Sequence, residues 1–97
     1  MTLHVLSPAG RPPVNETFPG ARRLTTLRGV RVGLLDNSKK NADALLTAVG
    51  EHLASRWDAD VRLWSKGEGT GAAGAAPEAT LREMSLGADA ALVALGD

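Results

Sequence analysis

The feature that most constrains the fold is an alternation of short apolar runs with amphipathic stretches. Three runs have the length and composition of β-strands: residues 30–35, 61–64 and 90–95. Between them lie two stretches with apolar residues at steps of three and four, at about 39–56 and 77–86. This β-α-β-α-β pattern predicts an α/β fold of the Rossmann or flavodoxin type, with a partial open parallel sheet in the order 2-1-3 and right-handed crossovers.

The apolar positions predict which faces are buried. The first helix has a stripe expected to face the core: Ala42, Leu45, Leu46, Val49, Leu53, Ala54 and Trp57. In the second helix Leu81 and Met84 are expected to face inward, and Pro77 suits a first helical position. The run at 90–95 is the most continuous, which is typical of a strand covered on both faces.

Residues 1–29 have a different character. They contain four of the five prolines and no helical periodicity. Proline fixes φ and lacks a backbone donor, so this segment is predicted to be an extended Pro-rich N-terminal arm. At most, residues 3–6 form a short edge strand. The chain therefore divides into an arm at 1–29 and an incomplete α/β unit at 30–97.

Composition argues against several classes of partner. Eleven basic and eleven acidic side chains cancel, and the nearest approach to a basic patch is Arg22, Arg23, Arg28 and Arg31, so nucleic-acid binding is not predicted. The chain has no cysteine, and two isolated histidines make no metal site, so neither a metal nor another cofactor is predicted. No apolar run has the length of a membrane span, and the N-terminus lacks signal-peptide features. The predicted location is the cytoplasm.

The best site candidate follows the first strand. Asp36, Asn37, Ser38 and Lys39 lie where the strand ends and a helix begins. In open α/β sheets this edge binds ligands, and helix N–H groups together with Ser, Asn and Lys side chains can hold a phosphate or carboxylate. A small anionic molecule is the predicted ligand. In the alternative interpretation, Asn37 or Ser38 only caps the helix and the lysines are solvated.

Other candidate motifs are weaker. Residues 69–74 spell G-x-G-x-x-G, but they follow the second strand instead of opening a helix after the first, so we interpret them as a flexible loop. His52 is expected to be solvated beside Glu51. No nucleophile and base can be paired, because Cys and Tyr are absent and no Ser has a His partner. Asp97 is a carboxylate at the tip of the third strand and is a further binding candidate.

Residues 27–43 and 87–97 resemble the UGSC family of (seleno)proteins. That family usually reads L-D-N-S-K-P-N-A-D where this chain has Leu35-Asp36-Asn37-Ser38-Lys39-Lys40-Asn41-Ala42-Asp43, so Lys40 replaces a proline. Gly96-Asp97 is similar to the G-D that ends the family's third strand, and the Pro-rich arm also fits. In the family a segment of cysteine or selenocysteine followed by Gly-Ser-Cys comes next and looks like a redox or nucleophilic centre.

The resemblance implies that this chain is the N-terminal portion of a (seleno)thiol-dependent enzyme for a small molecule. Selenocysteine is encoded by UGA, so we expect a truncated selenoprotein, inactive alone, whose missing C-terminal half covers the open sheet edge. A split subunit or an artificial boundary would explain the end at Asp97 equally. The alternative function is a non-catalytic module that binds a small ligand or a protein partner through that edge.

Overall fold

The computed structural model describes residues 2–10, 19–66 and 74–96. Its elements follow in the order β1 (Arg31–Asp36), α1 (Ala42–Trp57), β2 (Asp60–Ser65), α2 (Glu78–Gly87) and β3 (Ala90–Ala94). The three strands form one parallel sheet in the order β2-β1-β3. The predicted α/β class, element order and strand order are confirmed.

The register aligns the carboxyl ends of all three strands. Asp36, the last residue of β1, lies opposite Ser65 of β2 and Ala94 of β3. Segments that leave the three strands therefore start from one edge of the sheet. This carboxyl edge is where ligands bind in open parallel sheets.

The central strand β1 separates two small cores. Side chains alternate between the faces of a strand, so Val32 and Leu34 pack with α1 while Leu35 packs on the opposite face. The α1 side also contains Ala42 and Leu46. On the α2 side, Leu35 packs with two further buried side chains, Trp64 and Met84.

Two glycines allow the helices to approach the sheet. A Cβ on Gly50 would lie 2.9 Å from Leu34 Cδ1, so α1 can reach β1 only where this side chain is missing. A Cβ on Gly33 would lie 3.0 Å from both Met84 Cε and Trp64 Cζ3. Buried glycines thus take part in both cores, which an apolar-periodicity pattern does not reveal.

The buried stripes are narrower than predicted. On α1 the buried positions are Ala42, Leu46 and Gly50, whereas Leu45 and Trp57 are about half exposed. On α2 Met84 is buried, but Leu81 is 48% exposed. A sheet of three strands is too narrow to cover the whole apolar face of either helix, and the flanks of both stripes stay in solvent.

The two edge strands differ in how they are protected. Arg62 of β2 stacks on Trp64, with its guanidinium carbon 4.4 Å from the ring centroid, and forms a 2.9 Å ion pair with Glu83. In contrast, β3 has no charged residue, and Leu92 and Val93 are 42% and 64% exposed. The expectation that β3 is covered on both faces is therefore wrong for the part of the chain that the structure describes. An apolar edge without charge is a surface that favours association.

The arm has no regular structure where it is described. Residues 2–10 and 19–29 contain neither helix nor strand, so the suggested edge strand at 3–6 does not form. Leu3, Val5 and Leu6 are almost fully exposed. The arm joins the sheet at its end, where the Gly29 N–H donates to the Asp58 carbonyl and the Asp60 N–H donates to the Val30 carbonyl, both at 2.8 Å.

Candidate functional site

The candidate site lies at the carboxyl edge of the sheet, around the loop that joins β1 to α1. We call residues 37–41 the β1–α1 loop. Asp36, which precedes it, uses its carbonyl oxygen to accept the Lys66 N–H at 2.9 Å, so the ladder between β1 and β2 extends one residue beyond Ser65. The Asp36 carboxylate accepts the Ser38 N–H at 2.8 Å. This side chain therefore shapes the loop and fixes its first turn.

Asn37 connects the β1–α1 loop to the end of β3. Its side-chain Nδ2 donates to the Leu95 carbonyl at 2.8 Å, and its Oδ1 accepts the Leu95 N–H at 2.7 Å. Its own backbone N–H donates to the Ala94 carbonyl at 2.8 Å. Oδ1 also accepts the Lys39 N–H at 3.2 Å. We call this set of bonds the Asn37 clamp; it fixes where the chain runs after β3.

The clamp assigns Asn37 a structural task. A primary amide has two donors and one acceptor oxygen, and both ends of this amide are occupied by backbone groups of the same chain. Asn37 is half-buried, so these bonds are partly shielded from water. In the predicted site set it is therefore a residue that positions two segments, and the same bonds show that it does not cap α1.

The start of α1 lies farther along the chain than predicted. The helix was expected from about Lys39, but it begins at Ala42 and its N-cap is Asn41, which has a left-handed φ of 69° and makes no side-chain capping bond. Ser38 also has a left-handed φ, of 70°. These two turns lengthen the loop, so Ser38 is exposed and Lys39 is half-buried before the helix starts.

The N-terminus of α1 already carries a negative charge. Asp43 is in the first turn, and its carboxylate accepts the Ala44 N–H at 2.8 Å. A carboxylate at this position interacts favourably with the helix dipole and competes with any incoming anion. An anion at this edge would therefore depend on side chains near Ser38 and Lys39 more than on the helix N–H groups.

Lys66 is the residue that sequence inspection missed. It directly follows β2, and it is 3% exposed, the only buried charged side chain among the residues that the structure describes. Its ammonium group donates to the Gly74 carbonyl, at the end of the loop that leads to α2. Its neighbour Trp64 is buried on the α2 face, and alternation along the strand places Lys66 on that face too. Nothing in its sequence context, next to Gly67, indicates burial.

A second polar cluster lies at the opposite, amino end of the sheet. Arg31 forms a bidentate pair with Asp89, with contacts of 2.9 Å from Nη2 and 3.2 Å from Nε, and its backbone N–H also donates to Asp89 at 2.9 Å. The side-chain and backbone hydrogen bonds from Arg31 lower the pKa of Asp89 to about 2. The same pairing raises the pKa of Arg31. This cluster joins the starts of β1 and β3 and is remote from the candidate site.

Two predicted features lie outside the described residues. Asp97 is one of them, and most of the G-x-G-x-x-G stretch, residues 69–73, is the other. Within the described ranges 2–10, 19–66 and 74–96, no three His, Asp or Glu side chains come together as a metal-binding group. No helix in those ranges is long and apolar enough to cross a bilayer.

Comparison with known proteins identifies the family. The model of the UGSC family matches residues 4–97, so the chain belongs to this family. Neither the curated proteins nor the solved structures that were compared include a match.

Proposed function

Because the chain belongs to the UGSC family, we propose that it supplies the substrate-holding edge of a (seleno)thiol-dependent enzyme acting on a small anionic molecule. The observation that carries this proposal is the Asn37 clamp. The two segments on which the family resemblance depends, 27–43 and 87–97, are far apart in sequence, yet Asn37 joins them with hydrogen bonds of 2.7 and 2.8 Å.

The clamp gives the proposal a geometric basis. The family's cysteine or selenocysteine follows Gly-Asp, and in this chain Gly96 directly follows the residue that Asn37 holds. A nucleophile carried there would start from a fixed point next to the β1–α1 loop. Ser38 and Lys39 would then bind the anionic group of the substrate, and the clamp would set its distance from the nucleophile.

The nucleophile must come from outside these 97 residues, since the sequence contains no cysteine. We propose a selenol or thiol in a segment of cysteine or selenocysteine followed by Gly-Ser-Cys. The thiolate is the reactive form of cysteine, and a selenol ionises more easily. The coding DNA beyond Asp97 tests this directly. An in-frame UGA followed by codons for Gly-Ser-Cys supports the proposal, whereas UAA, UAG or an unrelated downstream sequence contradicts it.

Anion binding tests the role of the β1–α1 loop. Ser38→Ala and Lys39→Ala should each weaken binding of inorganic phosphate by about 1–3 kcal/mol, the usual size of a charge-assisted hydrogen bond. Isothermal titration at constant ionic strength measures the change. Lys40→Ala is the matched control, because Lys40 is an exposed lysine of the same loop and its loss should leave the affinity unchanged. Unchanged affinity in both test variants would place the site elsewhere.

A non-catalytic partner-binding module is the second candidate function. The exposed, uncharged edge of β3 favours it, because Val93 is 64% exposed there. The two candidates differ in what the 97-residue chain does alone. A stable monomer that binds a small ligand without any (seleno)thiol supports the binding module, and a Gly-Ser-Cys continuation in the gene supports the enzyme.

A further inference from the structure

Lys66 stands out as a buried charge at the carboxyl edge. Its side chain is 3% exposed, and an ammonium group has three donors. The one acceptor found among the described residues is the Gly74 carbonyl, which is neutral. Burying a charge without an opposite charge is costly, so buried lysines are normally paired.

The carboxylates of the described chain are occupied elsewhere. Its ion pairs are Arg31 with Asp89, Arg62 with Glu83, and Arg82 with Glu78. Asp36 is the nearest acidic residue by strand register, but its carboxylate accepts the Ser38 N–H and forms no ion pair with Lys66 among these described contacts. The positive charge of Lys66 therefore has no partner of opposite sign in this part of the chain.

The position of Lys66 relates it to the candidate site. Its backbone N–H donates to the Asp36 carbonyl at 2.9 Å, so Lys66 directly adjoins the residue that starts the β1–α1 loop. Its ammonium group holds the Gly74 carbonyl, which is part of the segment that leads from the carboxyl edge into α2. The lysine thus lies between two segments at the edge where parallel sheets bind ligands.

We infer that Lys66 is an anion-binding residue, and that its counter-charge is the phosphate or carboxylate group of the small molecule bound at the carboxyl edge. The inference rests on the proposed function and adds a residue to its site. With the ligand bound, the ammonium group donates to both the Gly74 carbonyl and the anion. Its burial strengthens the interaction, because the surroundings have a lower dielectric constant than water.

Phosphate binding to the 97-residue chain tests the inference, with isothermal titration at constant ionic strength. Lys66→Met keeps the length of the apolar stem and removes the charge, so the Kd for inorganic phosphate should rise at least about tenfold, as expected for the loss of a charge-assisted bond. Lys66→Arg retains the charge and should recover most of the affinity. The exposed Lys40→Met is the matched control and should bind like the unmodified chain.

The variants separate this inference from the proposed function. If Ser38→Ala and Lys39→Ala weaken binding and Lys66→Met does not, Lys66 serves only to hold Gly74 and the inference is overturned. If only Lys66→Met weakens binding, Lys66 stands and the β1–α1 loop is not the site. If both sets weaken binding, both proposals are supported.

Two further measurements cover the remaining outcomes. Should Lys66→Met not fold, the unmodified chain decides, because phosphate must raise its melting temperature more than chloride at equal ionic strength. An equal effect of the two salts would contradict the inference. Glu68 lies outside the described residues, and Glu68→Gln tests it as an internal counter-charge. Phosphate affinity that appears only in that variant would show that the chain neutralises Lys66 itself and would also overturn the inference.

Discussion

Replacing Asn37 by alanine should destabilise the chain by about 2–3 kcal/mol. The side chain makes three hydrogen bonds, two with the Leu95 backbone and one with the Lys39 N–H. A net contribution of about 1 kcal/mol for each bond gives about 3 kcal/mol, and water replaces part of it because the site is only partly buried. Urea unfolding monitored by circular dichroism measures the change, provided that the slope m is the same in both proteins.

Two companion variants identify the cause. Asn37→Asp keeps the acceptor for the two N–H groups but turns a carboxylate oxygen toward the Leu95 carbonyl, so it should destabilise the fold at neutral pH. Protonation of the introduced carboxyl restores a donor, and the deficit should shrink as the pH falls. Asn41→Gly is the matched control, because Asn41 makes no side-chain capping bond and glycine adopts its positive φ readily.

Hydrogen exchange gives a local measure of the same contact. The Leu95 amide should exchange faster in Asn37→Ala, while the amides of α1 change only as much as the global stability does. A loss below about 0.5 kcal/mol in Asn37→Ala, the lower end for one hydrogen bond, would refute the assigned role of the clamp.

Three further predictions concern the rest of the fold. Gly50→Ala should lower stability by about 1–3 kcal/mol in thermal melts although alanine favours helices, because its Cβ would lie 2.9 Å from Leu34 Cδ1; a higher melting temperature would contradict the packing argument. The Asp89 pKa is lowered from 3.8 to about 2 by Arg31, so its stabilisation should be complete above pH 3.8 and fade as the pH falls toward 2; in Asp89→Asn, urea unfolding from pH 2 to 5 should lack this component, and an identical pH profile would disprove it. Val93→Lys should reduce concentration-dependent association in sedimentation velocity, because Val93 is 64% exposed on the free edge; association that is unchanged would exclude the β3 edge.

The order of elements was predictable because it depends on local patterns. Apolar runs with different periodicities identified all five elements, and the right-handed crossover rule then gave the strand order. The start of α1 was predicted three residues early, since Ser38 and Asn41 adopt left-handed backbone angles that periodicity does not register. Such boundaries depend on single residues and not on a repeat.

Burial was less predictable, because it depends on how many neighbours the sheet has. Leu45, Trp57 and Leu81 follow helical periodicity, yet each is about half exposed beside this narrow sheet. Val93 has the surroundings of a buried strand in sequence and lies on an open edge in the fold. These residues are apolar for a reason that the described part of the chain does not use.

The candidate site was located correctly as a segment but not as a set of tasks. The motif around Asp36–Lys39 attracts attention because polar residues follow a strand. Only the fold shows that Asn37 reaches Leu95 and that Lys66 is buried beside Asp36. Both facts depend on contacts between strands, which lie 29 or more residues apart in sequence for the Lys66–Asp36 pair and 58 apart for Asn37–Leu95.

The most direct measurement is a phosphate titration of the ¹⁵N-labelled chain at constant ionic strength, followed by amide chemical shifts. Our account predicts saturable shifts at the amides of Ser38, Lys39 and Lys66, with little change at the start of the sheet around Arg31. Shifts that do not saturate, or saturable shifts confined to the arginine-rich arm at 22–28, would contradict the claim that the carboxyl edge is an anion-binding site.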